Sequence, residues 1–65
     1  MSHSEKILDQ LEKVRNDGRV NMLDMMGVQR AAYDMELFTL VTFIEENEAE
    51  MYYSALDAMG KRVER

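Results

Sequence analysis

Residues 31–59 read AAYDMELFTLVTFIEENEAEMYYSALDAM, a run with no glycine, no proline and no basic residue. Leu37, Leu40, Val41, Ile44, Glu48, Met51, Tyr52 and Ala55 recur along it at helical spacing, and only Glu48 interrupts the apolar stripe. Taken alone, Leu40-Val41-Thr42-Phe43-Ile44 has the β-branched content of a strand. Its setting inside a breaker-free run predicts helix instead, over about 37–60. Gly60 followed by Lys61 and Arg62 supplies the stop. The run also carries seven acids: Asp34, Glu36, Glu45, Glu46, Glu48, Glu50 and Asp57. Glu46 lies four residues before Glu50, a weakly repulsive pair with no basic side chain near it in sequence.

Upstream, two further helices complete the reading. The first spans about 4–17. Ser2 and Glu5 have capping-box spacing and Ser4 is a competing cap. Ile7, Leu8, Leu11 and Val14 form a single apolar stripe. Asp17-Gly18 ends it, glycine being free to take the left-handed conformation there. A short connection, Arg19 to Leu23, leads to a second helix over about 24–35. Asp24 is the favoured cap and Asn21 the alternative. Val28, Ala31, Ala32 and Met35 make its stripe. Gly27 in its first turn costs up to about 1 kcal/mol relative to alanine, which is read as allowing close approach of another backbone. No glycine or proline marks the passage from the second helix to the third. The expected fold is an all-α, compact three-helix domain with a long C-terminal helix.

Size and composition narrow what such a domain does. A 65-residue chain is one domain, and at that size only about 60% of the unfolded surface is buried. There is no cysteine, which removes disulfides, thiolate metal sites and cysteine nucleophiles. Tight helix packing or oligomerisation is the remaining support. No apolar run approaches the roughly 18 residues of a membrane span. Met1 to Lys6 lacks the basic-then-apolar layout of a secretory signal, so the cytoplasm is the expected compartment. The net charge of −5 is unevenly placed. Residues 1–30 balance, residues 31–60 are acidic, and Lys61, Arg62 and Arg65 make the tail basic. A nucleic-acid binder needs a basic stripe of some extent, and this chain has none.

Catalytic chemistry finds little to work with. His3 is the sole histidine and stands in a terminal segment. Ser2 and Ser4 adjoin only this terminal histidine and Ser54 has no base beside it in sequence, so the expectation is a protein that is not an enzyme. Glu45, Glu46, Glu48 and Glu50 lack the Glu-x-x-His pairs of bundle metal sites and the glycine turn of a calcium loop. A solvated acidic face is the better reading, with no metal and no cofactor. Met22, Met25 and Met26 suit a small core better than an adaptable surface. Tyr52 and Tyr53 stand about 100° apart on a helix, so one packs inside and the other lies at an edge or interface. Arg19 and Arg30 are read as balancing Asp17, Asp24 and Asp34.

The segment Val14-Arg15-Asn16-Asp17-Gly18-Arg19-Val20-Asn21-Met22-Leu23-Asp24, then Val28-Gln29-Arg30-Ala31-Ala32, then Leu40 to Asn47 and Tyr52, resembles a family of small domains of unknown function. Such domains are encoded by phages, prophages and related mobile elements. The resemblance covers about Ile7 to Leu56 and implies a compact helical domain, with no reaction and no catalytic residues. Members tend to carry glycine after the methionine that ends helix two, whereas Glu36 follows Met35 here.

These readings lead to an interaction protein. Its expected partner is a host or phage protein, in one version a basic nucleic-acid-binding or defence protein that it inhibits. The binding residues are Glu45, Glu46, Glu48, Glu50 and Tyr53. Leu37, Val41, Ile44, Met51 and Ala55 serve the core or pair with a second copy in a homo-oligomer. The competing expectation is a small helix-turn-helix regulator, with Gln29 and Arg30 as base readers.

Overall fold

A computed structural model describes residues 4–61. Ser2, His3, Arg62 and Arg65, which the sequence reading used, lie outside the described residues. Among those described there are four helices and no strand: α1 (Glu5–Asp17), α2 (Met25–Asp34), α3 (Phe38–Glu46) and α4 (Ala49–Gly60).

Local signals set the first two helices. The Ser4 hydroxyl accepts from the Ile7 N–H at 3.2 Å, capping α1. Gly18 closes it in the left-handed conformation (φ 78°), its N–H donating to the Val14 carbonyl. The Asn21 side chain does not cap α2. Its Oδ1 accepts from the Leu23 N–H at 2.8 Å and shapes the turn that delivers Asp24. Asp24 Oδ1 then accepts from the Gly27 N–H at 3.1 Å, as an N-cap does. Gly27 is surrounded differently from expectation. What crowds it is the Val20 side chain and the Asp24 carboxylate, not another backbone: an added Cβ would lie 2.6 Å from Val20 Cγ2 and 2.7 Å from Asp24 Oδ2. An alanine there would gain helix propensity and push aside the cap.

The turn after α2 falls on Glu36. Leu37 N–H bonds back to the Ala32 carbonyl and Glu36 N–H to that of Tyr33, a Schellman-type ending. Glu36 therefore sits at φ 63°, the one described residue other than glycine with positive φ. A side chain in that region costs roughly 1 kcal/mol. Glu36→Gly is expected to raise stability by about 0.5–1 kcal/mol despite the added freedom of its unfolded chain. Urea denaturation reads this as a higher midpoint at unchanged slope. A lower midpoint would mean that the glutamate side chain contributes more than its backbone costs.

The expected single helix over 37–60 is broken. Asn47 (φ −127°, ψ 159°) and Glu48 (φ −77°, ψ 162°) are extended, and they separate α3 from α4. The reason is reach. An unbroken helix of 24 residues would be about 36 Å long, whereas α1 has 13 residues and spans about 20 Å. A straight α4 would leave its apolar side in water. The break turns α4 back onto α1, where Tyr52, Ala55 and Met59 are buried. Met51, expected in the stripe, is 42% exposed, while Met59, four residues beyond Ala55, is 3% exposed.

The core is continuous across all four helices. Ile7, Leu8, Leu11 and Val14 meet Val28, Ala31, Ala32, Leu37, Leu40, Ile44, Tyr52, Ala55 and Met59. The strongest packing is α2 on α3 and α1 on α4, with α1 also against α3. Leu37, Ile44 and Ala55 of the expected stripe are buried, and Val41 is half-buried. No described helix is long and apolar enough to cross a membrane.

Candidate functional site

A groove of about 600 Å³ runs between α2 and α3. It follows from the periodicity of both helices. With Val28, Ala31 and Ala32 turned into the core, positions 26, 29, 30 and 33 share the opposite face of α2. With Leu40 and Ile44 inward, Val41 and Glu45 flank that line on α3. Met26, Gln29, Arg30, Tyr33, Val41 and Glu45 accordingly line the groove, and Asp24 and Gly27 close one end.

Large apolar side chains stand exposed in and beside the groove. Met26 is 65% exposed and Tyr33 63%. Tyr33 meets Phe38 edge to face, ring centroids 5.7 Å apart, and Phe38 is half exposed. Aromatic rings held in this way present a large, already ordered contact area. The charged lining is two acids, Asp24 and Glu45, against one base, Arg30. Arg30 has no ion pair among the described residues. Arg19 pairs elsewhere: it binds Asp17 and lies 4.0 Å from Asp34, joining the ends of α1 and α2. That pairing holds the Asp17 carboxyl below its ordinary range.

The residues named from sequence are distributed around this groove. Glu45 lies in it. Glu46, Glu48 and Glu50 are exposed at and after the α3–α4 break. Among the described residues none of the four is in an ion pair, and no three His, Cys, Asp or Glu side chains converge as a metal-ligand set. Gln29 and Arg30 line the groove on α2, while α3 has Glu45 and Glu46 as its only charged residues. Tyr53 has an internal task. Its hydroxyl donates to the Leu23 carbonyl at 3.1 Å, although the ring stays 43% exposed. Met26, Tyr33 and Phe38 were not singled out from sequence as site residues. The one available signal was Met26 and Tyr33 at i and i+7 on α2.

Tyr52 is the inner member of the tyrosine pair. Its hydroxyl donates to the Met22 carbonyl at 2.7 Å, so the two tyrosines of α4 hold the loop that presents Asp24. Burial, with smaller contributions from Tyr53 and Asp24, pushes its pKa up to about 12. The folded state thus keeps the phenol proton more tightly than the unfolded chain, whose tyrosines titrate near 10. The resulting stabilisation is complete below pH 10 and is lost as pH rises towards 12. Stability is expected to fall by roughly 1–2 kcal/mol across that window from this group. Tyr52→Phe, less stable at pH 8 through the lost hydrogen bond, should lack this component. Urea titrations of both proteins from pH 8 to 12 check it, and parallel profiles would contradict it.

A family model described as a domain of unknown function (DUF5049) matches residues 3–55, which is 53 of the 65 residues. No curated protein and no solved structure matches the chain.

Proposed function

We propose that this chain, which belongs to the DUF5049 family of unknown function, is a non-enzymatic protein-binding module whose site is the α2–α3 groove. The observation that supports the reading is the exposure of Met26, Tyr33 and Phe38 beside a groove edged by Asp24 and Glu45. Exposed apolar surface with a polar border marks a binding site. The occupant is an amphipathic helix of a partner protein, with apolar anchors for the groove and Lys or Arg beside them for Glu45 and its neighbours. Glu46, Glu48 and Glu50 extend the acidic field beyond the groove and steer a basic partner towards it. On the resemblance set out above, the source is a phage or mobile element and the setting a host cytoplasm. The most specific form is an inhibitor of a basic, nucleic-acid-binding host protein.

A helix-turn-helix reading is weaker. Met35 to Leu37 is a turn of suitable length between α2 and α3. However, α3 would have to enter the groove of DNA carrying Glu45, Glu46 and no base.

Three baits test the binding reading in host lysate: the wild type, Tyr33→Ala with Phe38→Ala, and a variant with Gln at 45, 46, 48 and 50. Because the substituted positions are exposed, the helical circular dichroism of both variants is expected to match wild type. The expected result is a basic protein recovered by the wild type and reduced at least about tenfold by both variants. That is the loss of one modest contact, about 1.4 kcal/mol. The captured protein, purified, should then bind the wild type with salt-sensitive affinity. Equal recovery by all three baits, or retention of DNA instead of protein, would overturn the reading.

A further inference from the structure

Asn47 and Glu48 are the only interruption in a span, residues 37–59, that contains neither glycine nor proline. Both residues are extended, in backbone regions open to any amino acid, and both enter the helical region without strain. The break leaves helical hydrogen bonds unmade. Glu48 offers α4 no side-chain cap, and at the end of α3 the Asn47 amide donates to the Phe43 carbonyl at 2.9 Å. The break also places Glu45 and Glu46 in the last turn of α3, where the helix dipole disfavours carboxylates.

Tertiary contacts are what hold it open. Tyr52, Ala55 and Met59 are buried, and Arg15 Nη1 lies 3.2 Å from Met59 Sδ. The Tyr52 and Tyr53 hydroxyls sit on the carbonyls of Met22 and Leu23. The polar contacts among these run from α4 to residues 15–23, and the main packing partner of α4 is α1. A second copy of the chain offers the same bed, and a two-residue link leads to it.

We propose that Asn47–Glu48 is a hinge through which two copies of this chain exchange α4. In the exchanged form α3 and α4 join into one helix, and each α4 packs on α1 of the other copy. Every α4 contact is kept, and the hydrogen bonds missing at the break are gained. The glutamates act against the exchange. In a joined helix Glu45 stands three residues from Glu48, and Glu46 four from Glu50, both like-charge neighbours. This repulsion in the joined helix offsets the dipole penalty that Glu45 and Glu46 carry at the break. This inference rests on the break itself and is independent of the binding groove.

Proline separates the two forms. Glu48 has a φ of −77° and follows an extended Asn47, which suits proline in the compact form. Ala49 is the first residue of α4, where proline is also tolerated. In a joined helix either proline would fall in the interior. The experiment is sedimentation equilibrium of the full chain after refolding from urea at high micromolar concentration. Asn47→Ala, which removes the amide closing α3, is expected to raise the dimer fraction several-fold over wild type. Glu48→Pro or Ala49→Pro, added separately to Asn47→Ala, is expected to cut dimer formation by about a hundredfold or more. Circular dichroism identifies any proline variant that has lost its helices, and the other proline then decides. Absence of dimer in Asn47→Ala would overturn the proposal. A dimer that persists with either folded proline variant would also overturn it, since that dimer would join intact surfaces.

Discussion

Leu11→Ala is expected to leave the chain largely unfolded at 37 °C. Leu11 is fully buried at the middle of α1, the helix against which α2, α3 and α4 all pack. Truncating a buried leucine costs about 3–5 kcal/mol, because contacts are lost and the cavity does not fully collapse. A domain of this length has only about 3–10 kcal/mol of total stability. The loss therefore consumes a large part of the margin or all of it. Leu40→Ala should behave similarly, being equally buried on α3. Met51→Ala is the control, since that side chain is 42% exposed and should change stability by less than about 0.5 kcal/mol. Thermal melts followed at 222 nm check all three. If Leu11→Ala melted within a few degrees of wild type, α1 would not be the centre of the core. If Met51→Ala cost as much as Leu11→Ala, the unbroken helix over 37–60 would be the better account.

The contrast between Leu11 and Met51 shows where the sequence was informative. The α1 stripe, the Gly18 stop and the Asp24 cap are local signals. Each depends on residues within a turn of one another, and each is found in the fold. The break at Asn47–Glu48 depends on something farther away, the burial of Tyr52, Ala55 and Met59 on a helix some forty residues earlier. No glycine or proline was needed to make it, so no breaker announced it. Asn47 was the available sign, as a residue whose side chain competes for backbone hydrogen bonds. Glu48 and Glu50 were a second, since acids favour the first turn of a helix. Glu36 falls between these cases. The sequence placed a non-glycine residue where a tight turn was due, and the structure gives it φ 63°.

The groove was less legible than the fold. Glu45 could be named because its charge was uncompensated in sequence. Met26, Tyr33 and Phe38 could not be separated from core residues by type alone, being apolar residues on apolar helices. Their exposure follows from the angle at which α2 and α3 meet and from which face each turns to α1. Those are properties of the packed domain. The proposed binding role accordingly rests on exposure and shape at these three positions more than on the acidic run that first suggested a partner.

Gln10 connects the core to that groove, and its loss is the second large effect expected. It is the one buried polar side chain among the described residues. Its Oε1 accepts from the Leu40 N–H at 2.8 Å, across thirty positions in sequence. Leu37, at the cap of α3, makes no side-chain hydrogen bond to that helix. Gln10 on α1 therefore does from a distance what a local serine or aspartate usually does, leaving Leu40 with only a longer backbone bond to Leu37 when it is removed. Gln10→Ala is expected to cost about 1–3 kcal/mol, the range for leaving a buried donor poorly satisfied. Gln10→Leu, which restores volume without the acceptor, should recover only part of it. Amide exchange at Leu40 should quicken about tenfold or more in both, tenfold corresponding to about 1.4 kcal/mol of local opening. Phe38 is the first residue of that same turn, and its ring rests edge-on against Tyr33. Loosening the turn should therefore shift the Phe38 and Tyr33 ring resonances together and weaken partner capture, although neither ring has been altered. Unchanged exchange at Leu40 would mean that the local Leu37 bond suffices to hold the turn. Faster exchange with unmoved rings would mean that the aromatic rim is held by α2 alone.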